Sequence, residues 1–194
     1  YLPSSHFDDI LDEVSSIKKQ ASNCKISIIF KGNETAEINP IHQKYVNFIT
    51  IDPSVLKIKD KSFCGLFSLT DIVIPISVQS IGNSAFKGCA SLSHISIPSS
   101  VTIIGNSCFQ ECKSLREINI PSSVESIVNS AFKRCSLLSH ISIPSSVKSL
   151  GDSCFQECNS LIEINIPPSV ESIGNSVFKE CASLVHISIP SSAK

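Results

Sequence analysis

Residues 97–119 read IPSSVTIIGNSCFQECKSLREIN, and the same pattern recurs along the chain in unbroken register. A seventh copy starts at Ile189 and stops at Lys194. Self-similarity at a fixed period of roughly 20–50 residues is typical of solenoids, in which each unit buries its apolar face only against its neighbours. The sequence therefore predicts a stack of repeats. Its six complete 23-residue units begin at Ile51, Ile74, Ile97, Ile120, Ile143 and Ile166.

The apolar positions of the unit are kept from copy to copy. Every complete unit has a phenylalanine at the position of Phe109, so these residues are 23 apart along the chain. A column of identical apolar residues predicts side chains stacked in the interior of the array. The members of this phenylalanine column are Phe63, Phe86, Phe109, Phe132, Phe155 and Phe178.

Two kinds of local structure are expected within each unit. The L-x-x-I-x-I pattern of residues 115–120 ends in the apolar alternation of a short strand. Pro121 has no N–H for strand pairing and ends that strand. Residues 105–107 combine a turn glycine with two helix-capping residues, and Phe109 and Cys112 then stand three apart, as on one face of a short helical turn.

The pattern L-x-x-I-x-I-P-x-S-V-x-x-I-G-x-x-x-F-x-x-C resembles the BspA-like leucine-rich repeat, a 23-residue type known from microbial and protist surface proteins. The first unit departs from it with Lys59 for glycine and Leu66 for cysteine, and the fourth has Val128 for glycine. The resemblance implies an α/β fold, a curved right-handed leucine-rich-repeat solenoid with parallel strands along its concave face. It also implies a role in adhesion or protein binding.

The first fifty residues lack the full pattern. We predict that residues 1–50 form a small α/β cap over the first repeat, with the array occupying residues 51–194. The cap is expected to contain a helix from Ser5 to Gln20, a hairpin around Gly32 and Asn33, and a strand at residues 45–51.

At the other end, six residues follow Ser188. Phe178, Cys181 and Leu184 would therefore have no neighbouring repeat within this sequence, and an uncovered apolar end is unfavourable. We expect either further repeats in a longer parent protein or a homo-oligomer formed through this end.

Composition argues against several classes of function. The 194 residues carry a net charge of −1, with no basic block, so nucleic acid is not expected as a partner. No apolar run approaches the ~18 residues needed to span a membrane, and the first ten residues do not resemble a signal peptide. No catalytic or phosphate-binding motif is present, so neither enzymatic activity nor a cofactor is expected. A location at the cell surface, or secretion, is implied by the family resemblance alone.

Seven of the nine cysteines fall in two columns of the repeat, which fits buried packing positions better than a disulfide or metal site. The column of Cys112 holds Leu66 in the first unit, and leucine cannot replace a ligand or a bridge. The column of Cys108 alternates with Ala85, Ala131 and Val177. No C-x-x-C pair occurs. These residues are predicted to be buried free thiols, whereas Cys24, outside the repeats, is expected to be the most reactive.

One outward-facing column alternates acids with histidines on the predicted strands. Two residues further on, the same face has a second column that includes Asn119 and Asn165. Strands ~4.8 Å apart would place neighbouring members within contact distance. Candidate binding residues are therefore Asp71, His94, Glu117, His140, Glu163, His186, Asn119 and Asn165.

Three hypotheses remain open for this acid–histidine column. Its members could pair with one another as an exposed ladder of little energetic value. They could form a pH-sensitive strip that binds a ligand, since imidazole changes charge near neutral pH. His94, Glu117 and His140 could also bind a metal, although they would form a straight row with no evident supporting shell.

The function favoured by the sequence is a protein-binding scaffold, acting in cell-surface adhesion or in recognition of a host or matrix protein through the concave face. The alternative is an intracellular or structural adaptor that self-associates through its C-terminal repeat. The sequence does not identify the ligand.

Overall fold

The computed structural model of the chain describes residues 26–30 and 45–193. Within these residues the regular secondary structure consists of thirteen short β-strands, with no helix. Each repeat from residue 51 onward makes one coil of a β-solenoid. All strand pairs are parallel.

Two rows of strands run along the array. We call the row at the L-x-x-I-x-I segments the broad ladder. Its members are β1 (Ile26–Phe30), β2 (Val46–Ile51), β4 (Asp71–Val73), β7 (Glu117–Asn119), β9 (His140–Ser142), β11 (Glu163–Asn165) and β13 (His186–Ser188). The second repeat contributes a single bridge, Ser96 to Asn119, in place of a strand.

The second row, which we call the narrow ladder, consists of two-residue strands near the seventh and eighth positions of each unit. The sequence patterns gave no indication of it. Its members are β3 (Lys57–Ile58), β5 (Ser80–Ile81), β6 (Ile103–Ile104), β8 (Ser126–Ile127), β10 (Ser149–Leu150) and β12 (Ser172–Ile173).

The predicted 23-residue register is confirmed where strands of the repeat array pair. In the broad ladder Glu117 pairs with His140 and Ile118 with Ile141. In the narrow ladder Ser149 pairs with Ser126 and with Ser172. Every one of these pairs is 23 residues apart, so each side chain lies beside its equivalent in the next repeat.

The core consists of stacked columns, as the sequence predicts. The phenylalanine rings lie face to face, with centroids 5.3–5.9 Å apart along the whole column. Five of the six are fully buried, whereas Phe178 in the last complete repeat is only partly buried. Cys181 and Leu184 of that repeat are also only partly buried.

The helical turn predicted around Phe109 and Cys112 is wrong. Cys112 N–H donates to the Phe109 carbonyl at 3.1 Å, a three-residue step, and Ser107 and Glu111 have left-handed φ values of 54° and 64°. The intervening Phe109 N–H donates to the carbonyl of Ala131 in the next repeat at 2.9 Å. Since these donors bond across the repeat junction, they are not available for an α-helical ladder, and the segment is a series of β-turns.

Polar columns reinforce the stack. From the second repeat onward, the Oγ of the serine at the fourth position of the unit donates to a valine carbonyl of the preceding repeat, as Ser146 does to Val124 at 2.7 Å. At four junctions, an asparagine or aspartate immediately before a left-handed residue accepts a hydrogen bond from the backbone of the following repeat, as Asn83 Oδ1 does from Asn106 N–H at 2.8 Å. Both columns thus satisfy backbone groups that would otherwise lack protein partners.

Residues 26–30 and 45–50 of the predicted cap are among the described residues. The strand predicted at residues 45–51 corresponds to β2, and β1 and β4 pair with it on either side. β1 is parallel to β2. The predicted helix from Ser5 to Gln20, the hairpin turn at Gly32 and Asn33, and Cys24 lie outside the described residues.

Candidate functional site

The acid–histidine column lies on the exposed side of the broad ladder. In strands such as β7 the burial alternates, so Ile118 enters the core and Glu117 and Asn119 face solvent. This is the ordinary consequence of strand geometry, in which successive side chains point to opposite faces. All six acids and histidines, together with Asn119 and Asn165, are exposed.

Within the column, acid and histidine occupy directly paired positions. Glu117 pairs with His140 in one strand pair, and Glu163 pairs with His186 in another. Side chains at such positions lie roughly 5 Å apart at Cβ. The second column follows the same register, with Asn119 opposite Ser142 and Asn165 opposite Ser188.

Despite this proximity, the six column residues are not bonded to one another. In residues 45–193 no hydrogen bond or ion pair joins any two of them. His140 Nδ1 lies 2.9 Å from the Oγ of Ser139, its neighbour in the chain. The polar atoms of the column therefore remain available to other groups.

A shallow groove of about 680 Å³ follows the C-terminal half of the broad ladder. The structure brings six of the eight candidate residues to it; Asp71 and His94 lie on the same ladder but do not line this groove. The candidates that line it are Glu117, Asn119, His140, Glu163, Asn165 and His186.

Exposed apolar side chains lie next to this groove. Ile162 and Val185 immediately precede Glu163 and His186, with 46% and 69% of their surface exposed. The Val185 N–H donates to the Ile162 carbonyl at 3.0 Å, which holds the two residues side by side. Sequence reasoning missed them, although the column changes from Thr70 and Ser93 to these apolar residues along the chain.

The cysteines do not form a reactive site in the described residues. The eight in that part of the chain are free, and six are buried. The Sγ of Cys112 donates to the Phe86 carbonyl at 3.2 Å, and that of Cys135 to the Phe109 carbonyl at 3.1 Å. Burial raises the pKa of Cys89, Cys108 and Cys135 well above that of an ordinary thiol. These thiols are packing groups and weak donors.

The described part of the chain contains no group of three or more histidine, cysteine or acidic residues arranged to hold a metal ion. It also contains no helix of the length and hydrophobicity that crossing a membrane requires.

A second set of charges lies on the turns, away from the broad ladder. Arg134 Nε donates to Glu157 Oε2 at 2.9 Å, and its Nη1 lies 3.6 Å from Glu111 Oε1. The three residues occupy equivalent positions in successive repeats. Since they are already paired and partly exposed, they contribute little stability and offer few free groups for binding.

Comparison with known sequences identifies the repeat. The family model described as a BspA type leucine rich repeat region matches the chain in six copies, with overlapping matches over residues 9–93, 39–159 and 79–194. No curated protein sequence matches the chain.

Several solved structures are similar to it, among them the following two. The leucine-rich repeat protein TpLRR of T. pallidum is 30% identical, with a TM-score of 0.71 over 74% of this chain and 70% of that protein. A leucine-rich cell surface protein of Faecalibacterium prausnitzii is 27% identical, with a TM-score of 0.73 over 85% of this chain. The match covers 48% of that protein, so the chain spans about half its length.

Proposed function

The chain belongs to the BspA-type leucine-rich repeat family, and from this premise we propose that its array binds other proteins at a cell surface, acting in adhesion or in recognition of a host or matrix protein. The description of the F. prausnitzii relative as a cell surface protein supports that location. Leucine-rich repeats are in general scaffolds for protein interaction.

The observation that most supports this proposal is the unpaired state of the acid–histidine column. Glu117 and His140 occupy paired positions, yet no ion pair or hydrogen bond joins them in the described structure. A self-satisfied ladder would need such bonds. The column instead presents free carboxylate, imidazole and amide groups at regular spacing, which suits recognition of a polar protein surface.

The surroundings of the column favour a protein as the partner. The groove is open and elongated, and its lining combines polar groups with exposed apolar side chains such as Ile187. Protein interfaces typically combine an apolar centre with a polar rim. Ile162 and Val185, beside the groove, extend the apolar area available for such a contact.

The mechanism is additive contact along a rigid support. Each repeat contributes one acid or histidine, and each repeat from the second onward also contributes a serine or asparagine. Stacking fixes these groups relative to one another before a partner binds. Several modest contacts on one support raise the overall affinity well above that of any single contact.

The test compares two triple variants in binding to a panel of purified extracellular matrix proteins. In the first, His94, His140 and His186 are changed to Gln. In the matched control, Lys87, Lys133 and Lys179 of the same three repeats are changed to Gln; these lie in the turn column, away from the broad ladder. We expect the first variant to lose at least about tenfold in affinity while the control keeps wild-type binding.

Two results would count against the proposal. Wild-type affinity in the histidine variant would remove the histidines from the binding surface. Failure of the wild-type array to bind any matrix protein, together with a mass that rises with concentration in light scattering, would favour the alternative of a self-associating adaptor.

A further inference from the structure

The narrow ladder is interrupted at one junction in the described residues, between the third and fourth repeats, and the interruption has a cause in the sequence. The ninth position of the unit is glycine in four repeats, Gly82, Gly105, Gly151 and Gly174, but Val128 in the fourth. The structure indicates why glycine is needed. A Cβ added at Gly105 would lie 2.4 Å from the Asn83 backbone nitrogen of the preceding repeat, closer than real Cβ atoms come.

At the glycine junctions this close approach permits a fixed set of hydrogen bonds. Between the fourth and fifth repeats, Lys148 N–H donates to the Glu125 carbonyl at 2.8 Å and Gly151 N–H donates to the Ile127 carbonyl at 2.7 Å. Asp152 N–H donates to the Asn129 side-chain oxygen at 2.9 Å. The same three bonds recur between the fifth and sixth repeats and between the second and third.

At the Val128 junction all three bonds are missing. In the described structure the N–H groups of Glu125, Val128 and Asn129 have no hydrogen-bond partner in the preceding repeat. The narrow ladder divides at this point into one sheet of β3, β5 and β6 and another of β8, β10 and β12. A small cleft opens there, with Ile104, Val128 and Phe132 among its lining residues.

The rest of the junction remains closed. On the broad ladder, β7 and β9 pair in register. On the turn side, Phe109 N–H donates to the Ala131 carbonyl at 2.9 Å, and the rings of Phe109 and Phe132 stay stacked. The separation is therefore confined to one edge, and contacts on the other edges hold the two repeats together.

We propose that the Val128 junction is a built-in hinge that divides the array into two blocks, residues 51–119 and 120–193. Parallel strand pairing resists bending at junctions where the narrow ladder is continuous, and this resistance is absent here. Flexing about the paired β7 and β9 strands changes the angle between the broad-ladder segments on either side, and with it the curvature of the face that carries the acid–histidine column. The hinge does not depend on that face binding a protein.

Hydrogen exchange measured by NMR tests the hinge, because the repeats supply internal controls. In the wild-type chain, the amides of residues 125, 128 and 129 should exchange at least about tenfold faster, after correction for intrinsic rates, than those of residues 148, 151 and 152. Val128→Gly should protect the three fast amides to the level of their counterparts. Gly151→Val, which leaves Val128 in place, should make residues 148, 151 and 152 exchange as fast as residues 125, 128 and 129.

The stability of Val128→Gly to urea provides a second test, because the expected change is opposite to the usual effect of glycine. Glycine usually destabilises an ordered segment relative to a residue with a side chain. Val128→Gly should nevertheless raise the midpoint of urea unfolding, because it allows three hydrogen bonds to form between repeats. Equal protection at residues 128 and 151 in the wild-type chain, or a lower midpoint in Val128→Gly with no gain of protection, would overturn the hinge.

Discussion

The ring of Phe109 stacks on that of Phe132 with centroids 5.5 Å apart and planes 7° apart. On its other side, Phe132 stacks on Phe155 at 5.6 Å. The ring thus contacts an equivalent ring in each neighbouring repeat and leaves almost no surface exposed. It therefore contributes to two repeat interfaces at once.

Phe132→Ala should lower the free energy of unfolding by about 3–5 kcal/mol, because it removes a large buried side chain and leaves a cavity between two repeats. Urea unfolding at fixed pH measures the effect. Phe178→Ala is the matched control and should cost less, since the ring of Phe178 is only partly buried. A loss below about 1 kcal/mol for Phe132→Ala would contradict the stacked core.

The serine column allows a comparison between adjacent residues. Ser146→Ala removes the hydrogen bond to the Val124 carbonyl and should cost about 1 kcal/mol of unfolding free energy. Ser145→Ala, one residue earlier and exposed, should stay within about 0.5 kcal/mol of wild type. Equal effects of the two substitutions would show that the hydroxyl of Ser146 adds nothing to the stack.

Because of its buried thiols, the protein should lose unfolding free energy as the pH becomes alkaline. Burial raises the pKa of thiols such as Cys108 and Cys154 above the ordinary value of 9.0. The unfolded chain therefore releases their protons first as the pH rises. Stability is unaffected by these groups below pH 9 and falls above it, by up to about 1.4 kcal/mol per pH unit for each thiol.

Urea unfolding between pH 8 and 10.5 measures this slope. Cys108→Ala with Cys154→Ala is the matched variant, because alanine occupies the same column at Ala85 and Ala131. The double variant should lose less stability than wild type across this range. Identical slopes would mean that the two thiols ionise as readily in the folded protein as in the unfolded one.

Much of the fold follows from the 23-residue period. A column such as that of Phe109 must be internal because the same side chain recurs at the same position, and the alternation of residues 117–119 fixes which side of the strand faces solvent. The period also places Glu117 beside His140, since parallel strands in register bring equivalent residues together.

The helical turn was mistaken for a physical reason. Spacing of three residues between Phe109 and Cys112 fits a helix, but it also fits successive β-turns. The two differ in where the backbone donors go, and Phe109 N–H donates to a carbonyl 22 residues further along. The spacing of apolar residues within one repeat does not show whether a backbone N–H bonds within that repeat or to the next one.

The serine contacts were missed although a signal was present. Serine occupies the corner position of Ser100 and Ser146 in every complete repeat, at a place where the chain turns near the surface. Such uniformity at a position that is not deeply apolar indicates a fixed hydrogen bond. The apolar pair Ile162 and Val185 gave a weaker signal, because only the later repeats have it.

The backbone hydrogen bonds of the turns run from each repeat to the next one, and this has a consequence for the evolution of the array. Ser107 and Phe109 each donate to the repeat that follows, and every repeat offers its successor nearly the same donors, acceptors and ring surface. Adding or deleting repeats in pairs would therefore preserve both the contacts at the repeat junctions and the alternation of acid with histidine. Recombination within the gene could therefore lengthen or shorten the broad ladder without altering the contacts between neighbouring repeats.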